Sequence, residues 1–227
     1  MDAYRTEEEQ VEALKRWWSD NGKGIVAAVV IGVLGSIGWQ AWQDRQVAKA
    51  ESASAIYQEL LGLGAQASTD SAQKVRLDEL VATLSEDYAG TGYADLGQLL
   101  QAAVWATDGR SQEALTLLTA LEARVADDAA LYPLVKLRRA RLQADLGDTD
   151  QALAALGSLE NTAVAAAAWL AQADIFIVGE QYASAAQALT LALAADQNGD
   201  LGADLETKLA FVNARINAET SPLESGE

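Results

Sequence analysis

Three stretches of the chain fall into one register: LLQAAVWATDGRSQEALTLL (residues 99–118), LRRARLQADLGDTDQALAAL (137–156) and LAQADIFIVGEQYASAAQAL (170–189). Each opens on a leucine (Leu99, Leu137, Leu170) and closes on another (Leu118, Leu156, Leu189). Each carries an alanine three residues in (Ala102, Ala140, Ala173) and a second one twelve residues later (Ala114, Ala152, Ala185). Glycine falls between the alanines at Gly109 and Gly147, and one residue early, at Gly179, in the third stretch. Apolar residues at helical spacing on both sides of a glycine read as helix, tight turn, helix. The units are offset by 38 and 33 residues, and the excess falls at residues 125–130, where Asp127 and Asp128 indicate a loop. Pro133 suits the first turn of the helix that follows.

This spacing resembles that of tetratricopeptide repeats, helix pairs with a period of about 34 residues that bury their core only against neighbours. The third unit adds Trp169, Phe176 and Tyr182 near the motif's aromatic positions, while the first two match on alanine, leucine and glycine. Upstream, a helix continues without a breaker to Gly62 and Gly64, and a second occupies about residues 73–85 and ends at 89–92. Downstream, a helix at about 203–216 caps the stack ahead of a disordered tail, residues 219–227. With only two prolines and abundant Ala and Leu, the fold class is all-α throughout.

Residues 24–43, GIVAAVVIGVLGSIGWQAWQ, hold no charge across 20 positions. A helix of that length spans about 30 Å, the thickness of the bilayer hydrocarbon. Trp17 and Trp18 precede it, Trp39 and Trp42 close it, and indole rings favour the two membrane interfaces. The run is too long, and its preceding segment too mixed in charge, for a cleaved signal peptide. Lys15, Arg16 and Lys23 flank its N-terminal side, against Arg45 and Lys49 beyond it, which favours a cytoplasmic N-terminus. The organisation is therefore a cytoplasmic amphipathic tail (1–23), a transmembrane helix (24–43) and a helical-repeat domain (44–218) that faces the periplasm or the exterior. In the tail, Thr6 and Glu9 form a capping-box pattern, and Val11, Leu14 and Trp18 share a face that suits lipid headgroups or a partner.

The chain has 33 acidic and 16 basic residues, net −17, with no cysteine and no histidine. Disulfides, thiolate nucleophiles, histidine-based triads and Cys/His zinc sites are excluded. Binding to nucleic acid is disfavoured by charge. No cofactor motif and no convergent catalytic constellation is visible, so the chain reads as a binding protein rather than an enzyme. The segment DQNGDLGADLET (196–207) has acids at several calcium-loop positions, but Leu201 replaces the turn glycine and Thr207 the bidentate acid, so it reads as a helix-capping loop.

The N-terminal sequences QVEALKRWW, DNGKG, GSIGWQAW and ESASAIYQELL, with KLRRARLQADLG and TDQALAAL in the repeats, resemble the YfgM family of inner-membrane proteins, ancillary subunits of the SecYEG translocon. The resemblance runs from about Tyr4 to about Ala218. It implies one membrane span, a periplasmic repeat domain, and association with SecYEG and with the periplasmic chaperone PpiD. It also implies a role in handing on newly translocated proteins. An envelope scaffold for another membrane or cell-wall assembly is the alternative reading.

Stacked helix pairs expose a concave groove lined by the first helix of each repeat. The register places Leu96, Leu99, Ala103 and Ala106 there from the first unit, Leu134, Leu137, Arg141 and Ala144 from the second. Ala167, Leu170, Asp174 and Ile177 come from the third. Lys136, Arg138, Arg139 and Arg141 form the one dense basic cluster of the acidic domain; it suits an acidic partner segment or internal ion pairs. In the membrane helix Gly24, Ala28, Gly32 and Ser36 recur every four residues and would let a partner helix approach closely.

Overall fold

The computed structural model describes residues 7–64 and 71–220. The chain divides into two compact units, Met1–Ala55 and Ile56–Glu227. All regular elements among the described residues are helices: α1 (Glu7–Gly64), α2 (Ser71–Asp87), α3 (Gly92–Thr107), α4 (Ser111–Arg124), α5 (Leu131–Asp145), α6 (Thr149–Gly157), α7 (Ala165–Val178), α8 (Tyr182–Ala195) and α9 (Gly202–Thr220). The all-helical expectation holds.

The first unit consists of the greater part of α1. Thr6, and with it the expected capping box, lies outside the described residues, as does the tail beyond Thr220. No break separates residues 1–23 from 24–43 where they are described. Asn21-Gly22, a pair that commonly marks a turn, stays helical. Asn21 Nδ2 donates to the Trp17 carbonyl at 3.0 Å, and the Trp18 indole lies over Gly22, so close that a Cβ there would stand 3.0 Å from ring carbons. The apolar window of α1 is wholly unburied. Ile31, Leu34, Ile37 and Trp39 are all more than half exposed. Each such side chain gains roughly 1.5–3 kcal/mol on leaving water, so this bare surface is at odds with a soluble core helix. The helix is long and apolar enough to cross a bilayer, and its backbone satisfies its own hydrogen bonds, as hydrocarbon requires.

The second unit is a stack of helix pairs. Repeat one is α3/α4, repeat two α5/α6 and repeat three α7/α8. The columns read in the sequence are its core: Ala102, Ala140, Ala173, Ala114, Ala152 and Ala185 are all 2% exposed or less. The leucine columns are buried with them. The stack starts one pair earlier than the register showed. Ile56, Tyr57, Leu60 and Leu63 of α1 pack with Leu77, Leu80 and Val81 of α2, under Leu100 and Val104 of α3. At the other end Leu205 and Val212 of α9 close the core of repeat three. The 125–130 loop is tied down by Asp128, whose Oδ1 accepts from the Ala130 and Leu131 amides at 2.9 Å and so starts α5.

All three first helices end in the same way. The amides of Arg110, Asp148 and Gln181 donate to the carbonyls five residues back, Trp105, Gln143 and Phe176, at 2.8–2.9 Å. That is the Schellman turn, which needs one left-handed residue. Gly109 (φ 77°) and Gly147 (φ 92°) supply it in repeats one and two. In repeat three the glycine of the sequence is out of step, and Glu180 takes the left-handed position at φ 56°. A side chain there costs about 1–2 kcal/mol, offset in part by the larger chain entropy glycine loses on folding. Glu180→Gly is expected to raise stability by about 0.5–1 kcal/mol, read as a higher midpoint in urea unfolding followed by helical circular dichroism.

A second column is polar. Gln101, Arg139 and Gln172 occupy equivalent places, two residues after the leucines, and the first two reach back to the preceding helix pair. Gln101 Nε2 donates to Asp78 Oδ1 at 2.6 Å, joining α3 to α2. Arg139 forms a close ion pair with Glu122, joining α5 to α4, and also donates to Gln143 Oε1 at 3.1 Å. Gln143 in turn donates to Gln151 of α6 at 3.3 Å. Gln172 breaks the series: its Nε2 is buried without a partner among the described residues.

Candidate functional site

Two clefts open along the face made by α3, α5 and α7. The larger, about 760 Å³, lies between repeats two and three, with Ala144, Leu153, Leu170, Asp174, Phe176 and Val178 among its walls. The smaller, about 240 Å³, lies between repeats one and two and is lined by Leu99, Ala103, Ala106, Leu118, Arg138 and Leu142. Arg141 and Asp145, one turn apart on α5, border both. The two clefts are thus neighbouring stretches of one groove, divided by the Arg141 side chain. Alanines on the floor keep it open, because a larger residue at Ala103, Ala106 or Ala144 would fill the space between successive first helices.

Arg141 is held in place by one bond, Nη2 to the carbonyl of Ala167 at 3.1 Å. Loss of solvent pushes its guanidinium below the ordinary value; Asp174 opposes that shift, and Arg138 adds to it. A guanidinium nevertheless stays charged at physiological pH. Asp174 is engaged elsewhere, accepting from Lys208 Nζ of α9 at 2.6 Å.

The expected lining divides into two groups. Arg138, Arg141, Asp174, Ala103, Ala106 and Ala144 border the clefts; Leu170 touches the larger one but, 7% exposed, is a core residue of repeat three. Leu137 does not: it is 4% exposed and packs with Ala140, Leu156 and Ala168 in the core between repeats two and three. Leu99 touches the smaller cleft but is 3% exposed, a core residue of repeat one. Leu96 and Leu134 pack against that same core, and Ile177 against that of repeat three. The reason is common to all of them. Apolar period marks the face a helix buries, and in a stack that face meets the adjacent helix before it meets the groove. What the sequence missed comes partly from the first helices themselves, with Leu142 and Asp145 of α5 and Phe176 and Val178 of α7, and partly from second helices and turns, with Thr149 and Leu153 of α6, Gly179 and Gln181. Val178, at the end of α7 beside the larger cleft, is 87% exposed, which no feature of the sequence marked.

The basic cluster also divides. Arg139 belongs to the Glu122 pair, and Lys136 sits 5.4 Å over the Tyr132 ring. Only Arg138 and Arg141 point into the groove. In α1, Gly24 and Gly32 have open space where a Cβ would stand, and Ala28 and Ser36 are exposed, so none of the described residues covers that stripe. In the 196–207 loop, Asp196 Oδ2 accepts the Leu201 amide at 3.0 Å, an acid spent on closing the loop that leads into α9.

Comparison with known proteins bears on both units. Residues 15–214 match the model of a family described as tetratricopeptide repeat-like domain. An ancillary SecYEG translocon subunit of Haemophilus influenzae is 34% identical over 70% of this chain and 74% of its own length. The Escherichia coli protein of the same description is 31% identical over 73% and 77%, and that of Aggregatibacter actinomycetemcomitans 33% over 76% and 82%. Among solved structures, TPR-like repeats of a Podosopora anserina putative kinesin light chain superpose with a TM-score of 0.52. They cover 78% of this chain and 88% of theirs at 16% identity, a likeness of fold alone.

Proposed function

The chain belongs to the YfgM-like family of ancillary SecYEG translocon subunits, with its tetratricopeptide repeat-like domain, and from that premise we propose that it is a membrane-anchored adaptor of the translocon. Residues 24–43 fix it in the inner membrane, residues 1–23 stay in the cytoplasm, and the repeats work in the periplasm on chains emerging from the channel. The observation that carries this reading is the bare apolar window of α1 on the same chain as an open inter-repeat groove. One part needs hydrocarbon around it and the other offers a binding surface. The lysines and arginines before residue 24 support the orientation. Contact with a PpiD-like chaperone belongs to the same proposal. The uncovered stripe of Gly24, Ala28, Gly32 and Ser36 is its most suitable seat for a partner helix in the bilayer, where close backbone approach replaces hydrophobic drive.

One experiment tests the proposal. The chain has no cysteine, so Glu160→Cys, at an exposed position, gives a unique handle. In cells with a permeabilised outer membrane this thiol is expected to react with a membrane-impermeant maleimide. A photo-cross-linker placed on it should recover translocon subunits, a PpiD-like chaperone or translocating chains. Labelling only after the inner membrane is broken would reverse the orientation. Recovery of cell-wall or division enzymes in place of translocon components would instead make the protein an envelope scaffold.

A further inference from the structure

Nearly every cation of the repeat unit is already engaged. Lys74 meets Asp108 at 2.6 Å, Arg76 meets Glu59 at 3.0 Å, and Arg124 meets Asp95 at 2.7 Å. Arg110 pairs with Glu113 at 3.2 Å, Lys208 with Asp174 at 2.6 Å, and Arg139 with Glu122. Lys136 and Arg215 rest over the rings of Tyr132 and Phe211. Arg138 and Arg141 remain. Among the described residues neither forms an ion pair; Arg138 makes no hydrogen bond, and Arg141 makes one, to a backbone carbonyl.

In a unit with a large surplus of carboxylates, this is where ion pairing is most to be expected and is missing. The two guanidinium groups stand three residues apart on α5, on one helix face, where like charges repel. Both border the smaller cleft, whose remaining walls are Leu99, Ala102, Ala103, Ala106, Leu118 and Leu142, with Asp145 one turn beyond. Asp174 and Asp145 both act on Arg141, but Asp174 is shared with Lys208, and Arg138 has no ion-pair partner among the described residues. A carboxylate entering the cleft would relieve the repulsion and accept charge-assisted hydrogen bonds from planar donors suited to it. A polyanion would not gain in the same way, because the net charge of −17 on the chain repels it as a whole. That argues against nucleic acid and against an anionic lipid surface, and for one negative charge carried on an otherwise apolar segment.

We propose that the cleft between repeats one and two binds an apolar peptide segment bearing a single carboxylate, which Arg138 and Arg141 hold while its alkyl neighbours lie on Ala103, Ala106 and Leu142. The inference rests on the groove being a peptide-binding surface, as the proposed function has it, and adds which peptides it selects.

The test uses the full chain in detergent micelles and three short fluorescent peptides of alanine, leucine and serine that differ only at the central residue: Glu, Gln or Lys. Fluorescence polarisation should show the Glu peptide binding about tenfold more tightly than the Gln peptide, with the gap narrowing as salt rises. The Lys peptide should bind no better than the Gln peptide. Arg138→Gln has no hydrogen bond to lose, so it should fold like the parent and remove most of the preference for Glu while sparing the Gln peptide. Arg141→Gln should act in the same direction. Equal binding of all three peptides, binding of none, a preference for Lys, or a Glu preference that survives both substitutions overturns the inference. Cross-links from Glu160→Cys to translocon components separate the two levels: if they persist without a Glu preference, this inference fails alone, and if they are absent, the reading beneath it fails.

Discussion

Leu156→Ala lowers the stability of the repeat unit by about 2–5 kcal/mol, the usual cost of cutting a fully buried leucine to alanine. Leu156 is 0% exposed and packs in a cluster with Leu137, Ala140, Leu159, Ala168 and Ala171. Three of those five neighbours are alanines, with no long side chain to swing into the space left behind. The cavity therefore stays open, and the loss belongs in the upper half of the range. Leu146→Ala is the matched control. Leu146 is 42% exposed, so its loss should stay within about 0.5 kcal/mol, as for surface substitutions. Urea unfolding of both variants in the same detergent decides the matter. Equal midpoints would mean that the leucine column is not the core of repeat two.

The second large effect is electrostatic. Glu122 and Arg139 have side chains only 15% and 20% exposed. Glu122→Ala leaves a guanidinium held between α4 and α5 without its anion, a change that costs about 3–5 kcal/mol for a fully buried pair. Partial access to water brings the expected loss here to about 2–3 kcal/mol. Glu122→Gln keeps an acceptor for the Arg139 donors and should lose about half as much. Removing both partners, as Glu122→Leu with Arg139→Met, should recover most of the stability, because it is the orphaned charge that is costly. A double variant as unstable as Glu122→Ala would show that the pair matters through packing rather than charge.

Much of this fold was legible because its core is written in small residues at constant offsets. Ala102, Ala140 and Ala173 could be aligned without any knowledge of what packs on them, since a close helix crossing admits little else. The groove was legible only in part. Arg138, Arg139 and Arg141 are near neighbours in sequence, yet a rotation of about 100° per residue sends Arg139 back to Glu122 and the other two into the clefts. Leu96, Leu134 and Leu137 misled for the opposite reason: periodicity identifies a buried face but not the helix that buries it. Thr149 and Leu153 escaped because their contact with the clefts crosses from one repeat to the next. The displaced turn of repeat three was visible as Gly179 out of step, but which residue would turn left-handed depended on where α7 ends.

The unpartnered Gln172 bears on how the stack comes apart. Side-chain pairs join α2 to α3 and α4 to α5, whereas at the joint between repeats two and three Gln172 Nε2 has no partner among the described residues and the tie is the single bond from Arg141 to the Ala167 carbonyl. The helix on the near side of that joint, α6, is also the shortest, nine residues. Cooperative opening units in proteins follow such differences in local tying. The stretch from α7 to α9 is therefore expected to open as one unit, ahead of the rest. Its amide protons would exchange with solvent together and sooner than those of α2 to α5, although they belong to the same stack. The larger cleft lies along that same joint, so a segment lodged there would bridge both sides and slow the exchange of a helix it does not touch, α9.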